Sequence, residues 1–257
     1  MITIVMAYFD RQAQLDKTLI SMTNSKQKDF NVIIVDDCSP KDLIIPPLPF
    51  EVIILKLSNK SWFNSALVYN VGFLSALKRN PDIIIIQNPE CYHVGDVLDY
   101  ATKITDETYI SFGCFSINEK TSSSEYDLNK VINENNYGVT WDGQNAWYNH
   151  PVHCPVGFHF CTAITTKNLI KTNGFDERFL FGRAYDDDYL IHQIKSLGLK
   201  IEITTDPFVV HQWHYNCQAA GDKGLLWERN RILYQELVKT KNYRAMHLST
   251  PNLDGNK

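Results

Sequence analysis

The chain of 257 residues has no apolar run long enough to cross a bilayer. Its apolar runs, such as those at 52–55 and 83–86, fall far short of the roughly 20 residues that a spanning helix needs. A basic segment followed by an apolar core is missing at the N-terminus, where MITIVMAYFD predicts a strand. The 25 lysines and arginines do not outnumber the 29 acidic residues, so neither nucleic acid nor an anionic membrane is an expected partner.

Paired cysteines are missing as well. None of the six cysteines lies in a CxxC pair, and they are scattered over the chain as Cys38, Cys91, Cys114, Cys154, Cys161 and Cys217. In a chain of this length, such scattering favours reduced, mostly buried thiols and a cytoplasmic location over a disulfide framework. The composition is otherwise that of a soluble globular protein, with 44% hydrophobic and 21% charged residues. The length suits one large α/β domain or two small ones.

Short apolar runs alternate with helical stretches in the first half of the chain. ITIVMAY, FNVIIVDDCSP, EVIILKLS and PDIIIIQNPE predict strands, and helices are predicted at 12–24 and 64–80. The predicted apolar face of the second helix consists of Leu67, Val71, Leu74 and Leu77. Strands that are apolar on both faces and separated by helices are typical of a parallel sheet that is covered on both sides. Ligands of such sheets bind beyond the carboxyl ends of the strands, where this chain has polar residues at 8–11, 36–39 and 87–90.

The second half of the chain is less regular. Residues 116–155 are polar and rich in loop signals, which predicts a flexible lid or substrate loop with a short helix near Asp127 to Asn133. A strand and a helix with a C-cap at Asn173 follow, then a helix in YDDDYLIHQIKSLG, a strand in LKIEIT and a last helix. Because no linker divides the chain, we expect one domain over 1–240 and a frayed tail over 241–257.

Five polar segments follow one another in a recognisable order. They are VMAYFDR on the first strand, VDDCS with its Asp36, Asp37 and Ser39, the helical Asn70 and Gly72, QNPE after the isoleucine run, and GFDE followed by YDDD. This order resembles the glycosyltransferases of the GT-A fold, specifically the large family 2 group. The segment VVHQWH, in which His211 ends a strand, is similar to the C-terminal part of galactosyltransferases and polypeptide acetylgalactosaminyltransferases. The resemblance covers residues 2–216.

The resemblance implies an α/β fold of the GT-A type, which is Rossmann-like, with a mainly parallel central sheet flanked by helices in a single domain. Residues 1–110 would form the half that binds a nucleotide-sugar donor, and residues 111–240 the acceptor and catalytic half. In this comparison the donor-binding residues are Ala7, Tyr8, Asp10, Asp36, Asp37, Asn64, Asn70, Gln87 and Asn88. Asp36 and Asp37 would lie near the base and ribose, although a plain Asp/Ser turn also explains VDDCS.

The segment NPE stands where most relatives have Asp-x-Asp, the motif that binds a divalent cation between protein and donor diphosphate. Asn88 and Glu90 keep oxygen ligands of the kind that Mg²⁺ and Mn²⁺ prefer, but they provide one charge in place of two. Three alternatives follow: a weaker metal site completed by His211, a metal-free site in which Glu90 holds a sugar hydroxyl, or a degenerate site. Gln87 is an alternative for the first position of the motif. We favour a retained Mn²⁺ or Mg²⁺ ion with Glu90 as its principal ligand.

The segment YDDD contains the catalytic candidates. Acids at a helix N-terminus are stabilised by the helix dipole and by free N–H groups, which is the structural explanation for them. Three consecutive acids repel one another, however, and a carboxylate is the base that an inverting transfer needs to remove the acceptor proton. Alignment with the family's Glu-Asp-x-Asp implies that Asp186 is the base. If the alignment is shifted by one residue, the base is Asp187. Asp188 would have a supporting role.

The histidines and aromatic residues of the second half are weaker candidates. No paired Cys/His spacing indicates a zinc site, so we interpret the histidines other than His211 as hydrogen-bonded core or loop residues. Trp147, Tyr148 and Trp213 offer apolar faces to sugar rings, together with Trp141, and core packing is the alternative explanation for each of them.

The resulting hypothesis is an enzyme that transfers a sugar with inversion from a nucleoside-diphosphate donor, expected to be a UDP-sugar, to a glycan or glycoconjugate hydroxyl. One alternative is a non-catalytic module that binds nucleotide sugars or glycans and has a degenerate metal site. The other is a nucleotidyltransferase. That class needs a glycine-rich basic loop after the first strand, whereas AYFDRQAQ has one arginine and no glycine.

Overall fold

The computed structural model describes residues 1–141, 143–215, 223–240 and 243–255, and Cys217 lies outside the described residues. Its strands are β1 (Ile2–Tyr8), β2 (Phe30–Asp36), β3 (Glu51–Lys56), β4 (Ile83–Gln87), β5 (Cys91–Val94), β6 (Thr108–Ser116), β7 (Ala146–Asn149), β8 (Cys161–Thr165) and β9 (Lys200–His211). Its helices are α1 (Gln12–Ser21), α2 (Ala66–Leu77), α3 (Val97–Ala101), α4 (Glu119–Ser122), α5 (Leu128–Glu134), α6 (Thr166–Thr172), α7 (Asp186–Ser196) and α8 (Lys223–Leu237), with a 3₁₀ helix over Glu177–Phe181. None of these helices is long and apolar enough to cross a membrane.

The described strands form one nine-stranded sheet in the order β3-β2-β1-β4-β8-β6-β9-β5, with β7 paired to β6. The strands β3, β2, β1 and β4 are parallel, as are β6 and β9. The remaining pairs, β4 with β8, β6 with β8, β6 with β7 and β5 with β9, are antiparallel. The expected parallel sheet therefore describes the N-terminal half, and the sheet becomes mixed where β8 is inserted between β4 and β6.

Helices cover both faces of the sheet. Successive side chains of β1 point to opposite faces, so Ile4 packs with α1 and α3 while Val5 packs with α2, α6 and α7. Both residues are fully buried, which explains why β1 is apolar on both faces. The expected α/β architecture with helices on either side of a central sheet is confirmed.

The buried face of α2 differs from the predicted one. Val68, Gly72 and Phe73 are fully buried, whereas Val71 and Leu74 of the predicted face are only partly buried. A Cβ atom on Gly72 would lie 2.4 Å from a methyl group of Val5, so α2 lies against β1 along its glycine side. Apolar residues occur all around this helix, and hydrophobic periodicity alone therefore selected the wrong face.

Several elements were missed in the sequence. The strand β6 contains glycine, serine and cysteine, which weakened its apolar signal, and β5 and α3 are short. The segment 116–155 contains the expected short helix as α5, and it also holds α4 and β7, which were not expected; β7 pairs with β6 inside the sheet. The prediction of a loop there is wrong for β7, because its Trp147 is only 4% exposed.

The five described cysteines are free thiols. Cys91, Cys114 and Cys161 are buried in the same core cluster as Ile4, whereas Cys38 and Cys154 are partly exposed. Burial raises the pKa of the Cys91 and Cys161 thiols well above the usual range, which keeps both in the protonated, unreactive form.

The C-terminal segment is anchored, in contrast to the frayed tail expected there. Leu253 is buried, and its backbone N–H donates to the side chain of Asn173. The buried carboxylate of Glu177 accepts hydrogen bonds from the backbone N–H groups of Leu248 (2.7 Å) and Ser249 (2.6 Å). Asn173 and Glu177 belong to the NGFDE segment, so this segment holds the chain terminus against the core.

We expect Glu177→Ala to destabilise the protein by about 3 kcal/mol, because the partly buried N–H groups of Leu248 and Ser249 would lose a charged acceptor. Glu236→Ala is the control, since Glu236 is an exposed glutamate on α8 and its loss should change stability by about 0.5 kcal/mol or less. Urea unfolding monitored by circular dichroism measures both effects. Equal midpoints for the two variants would contradict the anchoring role of Glu177.

Candidate active site

The ends of β1, β4 and β9 and the start of α7 surround one cavity of about 740 Å³. The lining residues that the sequence predicted are Ala7, Tyr8, Asp37, Asn64, Asn88, Glu90, Tyr148, Asp186, Asp187, His211 and Trp213. The lining residues that it did not predict include Arg11, Tyr69, His159, Arg183 and His214. Most of the predicted site residues are therefore brought together, although they are separated by up to two hundred positions in the chain.

Glu90 lies at the centre of a charged cluster on one wall of the cavity. Its side chain is only 2% exposed, and its Oε2 accepts a hydrogen bond of 2.7 Å from Arg11 Nη1. Its Oε1 lies 3.3 Å from His211 Nε2 and 3.6 Å from His214 Nε2. Burial raises the pKa of the Glu90 carboxyl, but Arg11 and the two histidines outweigh that effect and hold the pKa well below its usual range. Glu90 is therefore an anion with one oxygen turned toward two imidazoles.

Glu90, His211 and His214 could hold a metal ion, since their ligand atoms all lie within 4.8 Å of one another. A carboxylate with two imidazoles fits Mn²⁺ or another borderline cation better than Mg²⁺, which prefers oxygen ligands alone. Burial lowers the pKa of His214, which favours the neutral imidazole that a metal requires. The predicted ligands Glu90 and His211 are thus placed together, and His214, which the sequence analysis interpreted as a core or loop residue, lies beside them in the loop after β9. The His-x-x-His spacing after β9 was its signal.

Asn88 does not join this cluster. Its Oδ1 accepts a hydrogen bond of 3.0 Å from the Tyr69 hydroxyl, and its backbone N–H donates to Phe160. The side chain still lines the cavity. The two polar positions of NPE therefore differ in role, because Glu90 faces the histidines and Asn88 faces α2.

Asp186 lies on another wall of the cavity, at the first position of α7. The two residues before it, Ala184 and Tyr185, have left-handed backbone conformations with φ of 59° and 67°. Such conformations are unfavourable for bulky residues and are concentrated at functional sites. Asn230 of α8 supports this turn by donating a hydrogen bond of 2.9 Å to the carbonyl of Ala184. The turn directs the start of α7 to the cavity.

The environment of Asp186 favours a carboxyl group that exchanges its proton near neutral pH. The side chain is 7% exposed and accepts a hydrogen bond of 2.7 Å from Asn64 Nδ2. Burial and the neighbouring Asp187 raise the pKa of Asp186 to about 7. A carboxylate with such a pKa suits general base chemistry, and desolvation is the dominant cause here.

Asp187 has a different partner. Its Oδ1 lies 2.9 Å from Nδ1 of the buried His159, although the two groups are not aligned as a regular hydrogen bond. Burial lowers the pKa of His159, but the carboxylates of Asp187 and Asp186 outweigh it and raise the pKa overall. Nothing in the sequence around His159 indicated this pairing. Asp188, the third acid, does not line the cavity, and burial is the main cause that raises its pKa.

The two acids after β2 have separate roles. Asp37 lines the cavity, and its two oxygens accept hydrogen bonds from Lys60 Nζ (2.5 Å) and Trp62 Nε1 (2.8 Å). Burial raises the pKa of Asp37, and both donors lower it only in part. Asp36 is buried, lies outside the lining and caps its own turn through the Ser39 N–H. The contacts of Asp36 in this structure are those of the simple turn.

Four other predicted residues lie outside the cavity lining. Asn70 is fully buried and bonds Phe175 and Glu177, and Gln87 is fully buried and bonds the carbonyl of Cys91. Asp10 is exposed, and its backbone has a left-handed φ of 45°. Trp147 packs against Phe115 at a centroid distance of 5.1 Å, which supports its core explanation. None of these four side chains is therefore in a position to contact a ligand in the cavity directly.

The other two aromatic candidates remain at the cavity. Tyr148 lies 5.2 Å from the His211 ring between centroids, and Trp213 lies between His211 and His214 in sequence and lines the same cavity. Trp141 is 68% exposed and lies outside the lining. Tyr148 and Trp213 are thus the predicted sugar-stacking residues whose positions suit that role.

Comparison with known proteins identifies the fold. No model of a protein family matches the chain, and no curated protein matches its sequence. Residues 1–349 of S. aureus TarS in complex with UDP-GlcNAc are similar in structure, with a TM-score of 0.60 at 12% identity over 94% of this chain and 67% of that one. The Pyrobaculum calidifontis mannosyltransferase PcManGT in complex with GDP-Man and Mn²⁺ has a TM-score of 0.53 at 11% identity, over 84% of this chain and 58% of that one.

The catalytic domain of Drosophila β1,4-galactosyltransferase 7 is similar over 100% of this chain and 84% of its own, with a TM-score of 0.53 at 12% identity. The chain spans only about 60% of TarS 1–349 in another of its structures, and 58% of the mannosyltransferase. These likenesses show that the chain has the GT-A fold, as the order of its motifs predicted.

The raised pKa of Asp186 predicts how the folding stability of the protein depends on pH. Below about pH 4 the carboxyl is protonated in both the folded and the unfolded chain. Between about pH 4 and 7 the unfolded chain ionises while the folded protein keeps its proton, so stability falls as the pH rises. Asp186→Asn removes this loss and should stabilise the protein by about 2 kcal/mol at pH 8, and by less at pH 5.

Urea unfolding at the two pH values measures the difference. Glu125→Gln is the matched control, because Glu125 is an exposed carboxylate, and it should show no gain that grows with pH. A stability gain of Asp186→Asn that is the same at pH 5 and pH 8 would contradict the raised pKa.

Proposed function

From the GT-A fold, we propose that the protein is a glycosyltransferase that moves a sugar from a nucleoside-diphosphate donor, a UDP-sugar, to a hydroxyl of a glycan or glycoconjugate. One observation carries this proposal. A single cavity contains both Asp186, with a pKa of about 7, and the Glu90-His211-His214 group. The first is suited to activate an acceptor hydroxyl and the second to hold a cation beside a diphosphate.

The proposed transfer is a direct displacement with inversion. The acceptor oxygen forms a bond with the anomeric carbon while its proton passes to a carboxylate oxygen of Asp186. The bond between the anomeric carbon and the phosphate oxygen breaks, and the nucleoside diphosphate leaves with that electron pair. Asp187 is paired with His159, so it is the less available of the two acids and stays the second candidate.

The leaving diphosphate carries negative charge that the site has to stabilise. A divalent cation, when bound, supplies this stabilisation as a Lewis acid. Glu90, His211 and His214 are the residues that would hold it, and Arg11 adds a guanidinium on the same wall. This arrangement is supported by the presence of Mn²⁺ with GDP-Man in the mannosyltransferase of similar fold.

Donor and acceptor are expected at different parts of the cavity. Ala7, Tyr8 and Asp37 lie at the ends of β1 and β2, where ligands of parallel sheets bind, and we assign them to the nucleoside. Tyr148 and Trp213 present aromatic rings near His211 and are assigned to a sugar ring.

A panel of nucleotide sugars, each with Mn²⁺, with Mg²⁺ or with a chelator, tests donor binding by thermal unfolding. A donor at a hundred times its dissociation constant stabilises by about 2.7 kcal/mol, which raises the melting temperature by about 5 °C or more. We expect the largest shift for a UDP-sugar with Mn²⁺. The absence of a shift with every donor would contradict the transferase, and a shift that the chelator leaves unchanged would contradict the metal role of Glu90.

Replacement of the proposed base separates binding from chemistry. Asp186→Asn should lower turnover at least about 100-fold while donor binding is preserved, because only proton removal is lost. In the wild type, kcat should fall as the pH drops below about 7, where Asp186 becomes protonated. Release of the nucleoside diphosphate measures turnover.

Asp187→Asn is the matched variant, and we expect a smaller loss of turnover from it. Full activity of Asp186→Asn with an inactive Asp187→Asn would transfer the role to Asp187. Donor binding without turnover by the wild type, over a broad acceptor panel, would instead favour the non-catalytic module.

A further inference from the structure

The ion pair between Arg11 and Glu90 is part of the candidate metal group itself. Arg11 Nη1 donates to Oε2 at 2.7 Å, while Oε1 of the same carboxylate faces His211 and His214. The carboxylate is 2% exposed, so water does not screen these contacts effectively. The Glu90 carboxylate therefore binds the Arg11 guanidinium through one oxygen and presents the other oxygen to the candidate metal site.

The charges of this group sum to zero. Glu90 contributes one negative charge and Arg11 one positive charge, and histidines that bind a metal are neutral. Asn88, at the other polar position of NPE, is uncharged and bonded to Tyr69. Among the described residues, no second carboxylate shares this cluster of possible metal ligands. A divalent cation entering it would meet a neutral group in which the guanidinium opposes it.

A diphosphate changes that balance. It brings at least two negative charges, and both the cation and Arg11 are attracted to it. Building on the proposed function, we infer that Arg11 makes cation binding conditional on the donor diphosphate: the cluster binds the cation weakly alone and tightly together with the nucleotide. Because coupling between two ligands is reciprocal, the cation must strengthen nucleotide binding by the same factor.

A purely orienting role of Arg11 has a consequence of the opposite sign. A residue that only orients a metal ligand strengthens metal binding, and its loss typically weakens that binding about 10-fold to 100-fold. A residue that opposes the cation weakens binding in the free protein, so its loss should strengthen it. The sign of the change in affinity for the cation alone therefore distinguishes the two roles.

Two substitutions separate charge from hydrogen bonding. Arg11→Gln keeps a donor for Glu90 but removes the charge, and Arg11→Lys keeps the charge. Titration of Mn²⁺, followed by its electron paramagnetic resonance signal or by calorimetry, gives the affinity with and without UDP. For the wild type and Arg11→Lys, we expect UDP to tighten Mn²⁺ binding about 10-fold or more. For Arg11→Gln, Mn²⁺ alone should bind about 10-fold more tightly, and UDP should tighten Mn²⁺ binding by a smaller factor than in the wild type, because only the direct attraction between cation and diphosphate remains.

Arg79→Gln is the matched control. Arg79 is an exposed arginine just beyond the end of α2, and it pairs with Glu51 of β3. It should keep the wild-type affinities. Circular dichroism and the melting temperature verify that each variant is folded.

Three results would overturn the inference: weaker Mn²⁺ binding by Arg11→Gln, equal Mn²⁺ affinity of the wild type with and without UDP, or no Mn²⁺ binding by any of the proteins at millimolar concentration. Each is distinct from a failure of the proposed function. That failure would appear as a lack of binding of UDP and of every nucleotide sugar, even at saturating Mn²⁺.

Discussion

Burial of the Glu90 carboxylate is the constraint on which the rest of the site depends. An ionised group so far from water needs compensating charge and hydrogen bonds. Arg11 supplies the charge from the turn after β1, and His211 and His214 approach from the end of β9. The Glu90 carbonyl also accepts a hydrogen bond of 2.9 Å from the side chain of Gln212. Compensation of this one buried carboxylate by protein groups therefore brings the ends of β1, β4 and β9 next to one another.

The acidic wall is fixed by a second set of contacts that joins the two halves of the sequence. Asn64, which precedes α2, donates to Asp186, and His159, which precedes β8, meets Asp187. The insertion of β8 antiparallel to β4 brings His159 to the same edge as the NPE turn. The candidate base therefore lies in the same cavity as the ends of β1 and β4 because the sheet changes direction at β8, and not because the two halves pack as separate domains.

The sequence predicted those site residues whose position follows from strand direction. Ala7, Asp37 and Glu90 come after parallel strands, and the carboxyl ends of parallel strands meet at one edge. Sequence position does not show which way a polar side chain points, so Asn70 and Gln87 were assigned to the donor although they bond the protein interior. His159 could not be foreseen, since its partner Asp187 is distant in the chain. The missed strand β6 has a glycine and several small polar residues, and its long-range pairing overrides its weak local preference.

The cavity contains four carboxylates, and their partners divide them into different chemical roles. Three have a basic or ionic partner: Asp37 has Lys60, Glu90 has Arg11, and Asp187 has His159. Asp186 has no salt bridge within the described part of the chain, and its side-chain partner is the neutral amide of Asn64. Neighbouring acids whose environments separate their proton affinities are the usual basis of acid and base assignments in enzymes. Burial, followed by repulsion from Asp187, raises the pKa of Asp186 to about 7, because no direct ionic partner compensates for them. The chemistry of their partners therefore distinguishes Asp186 from the other three acids as the candidate base.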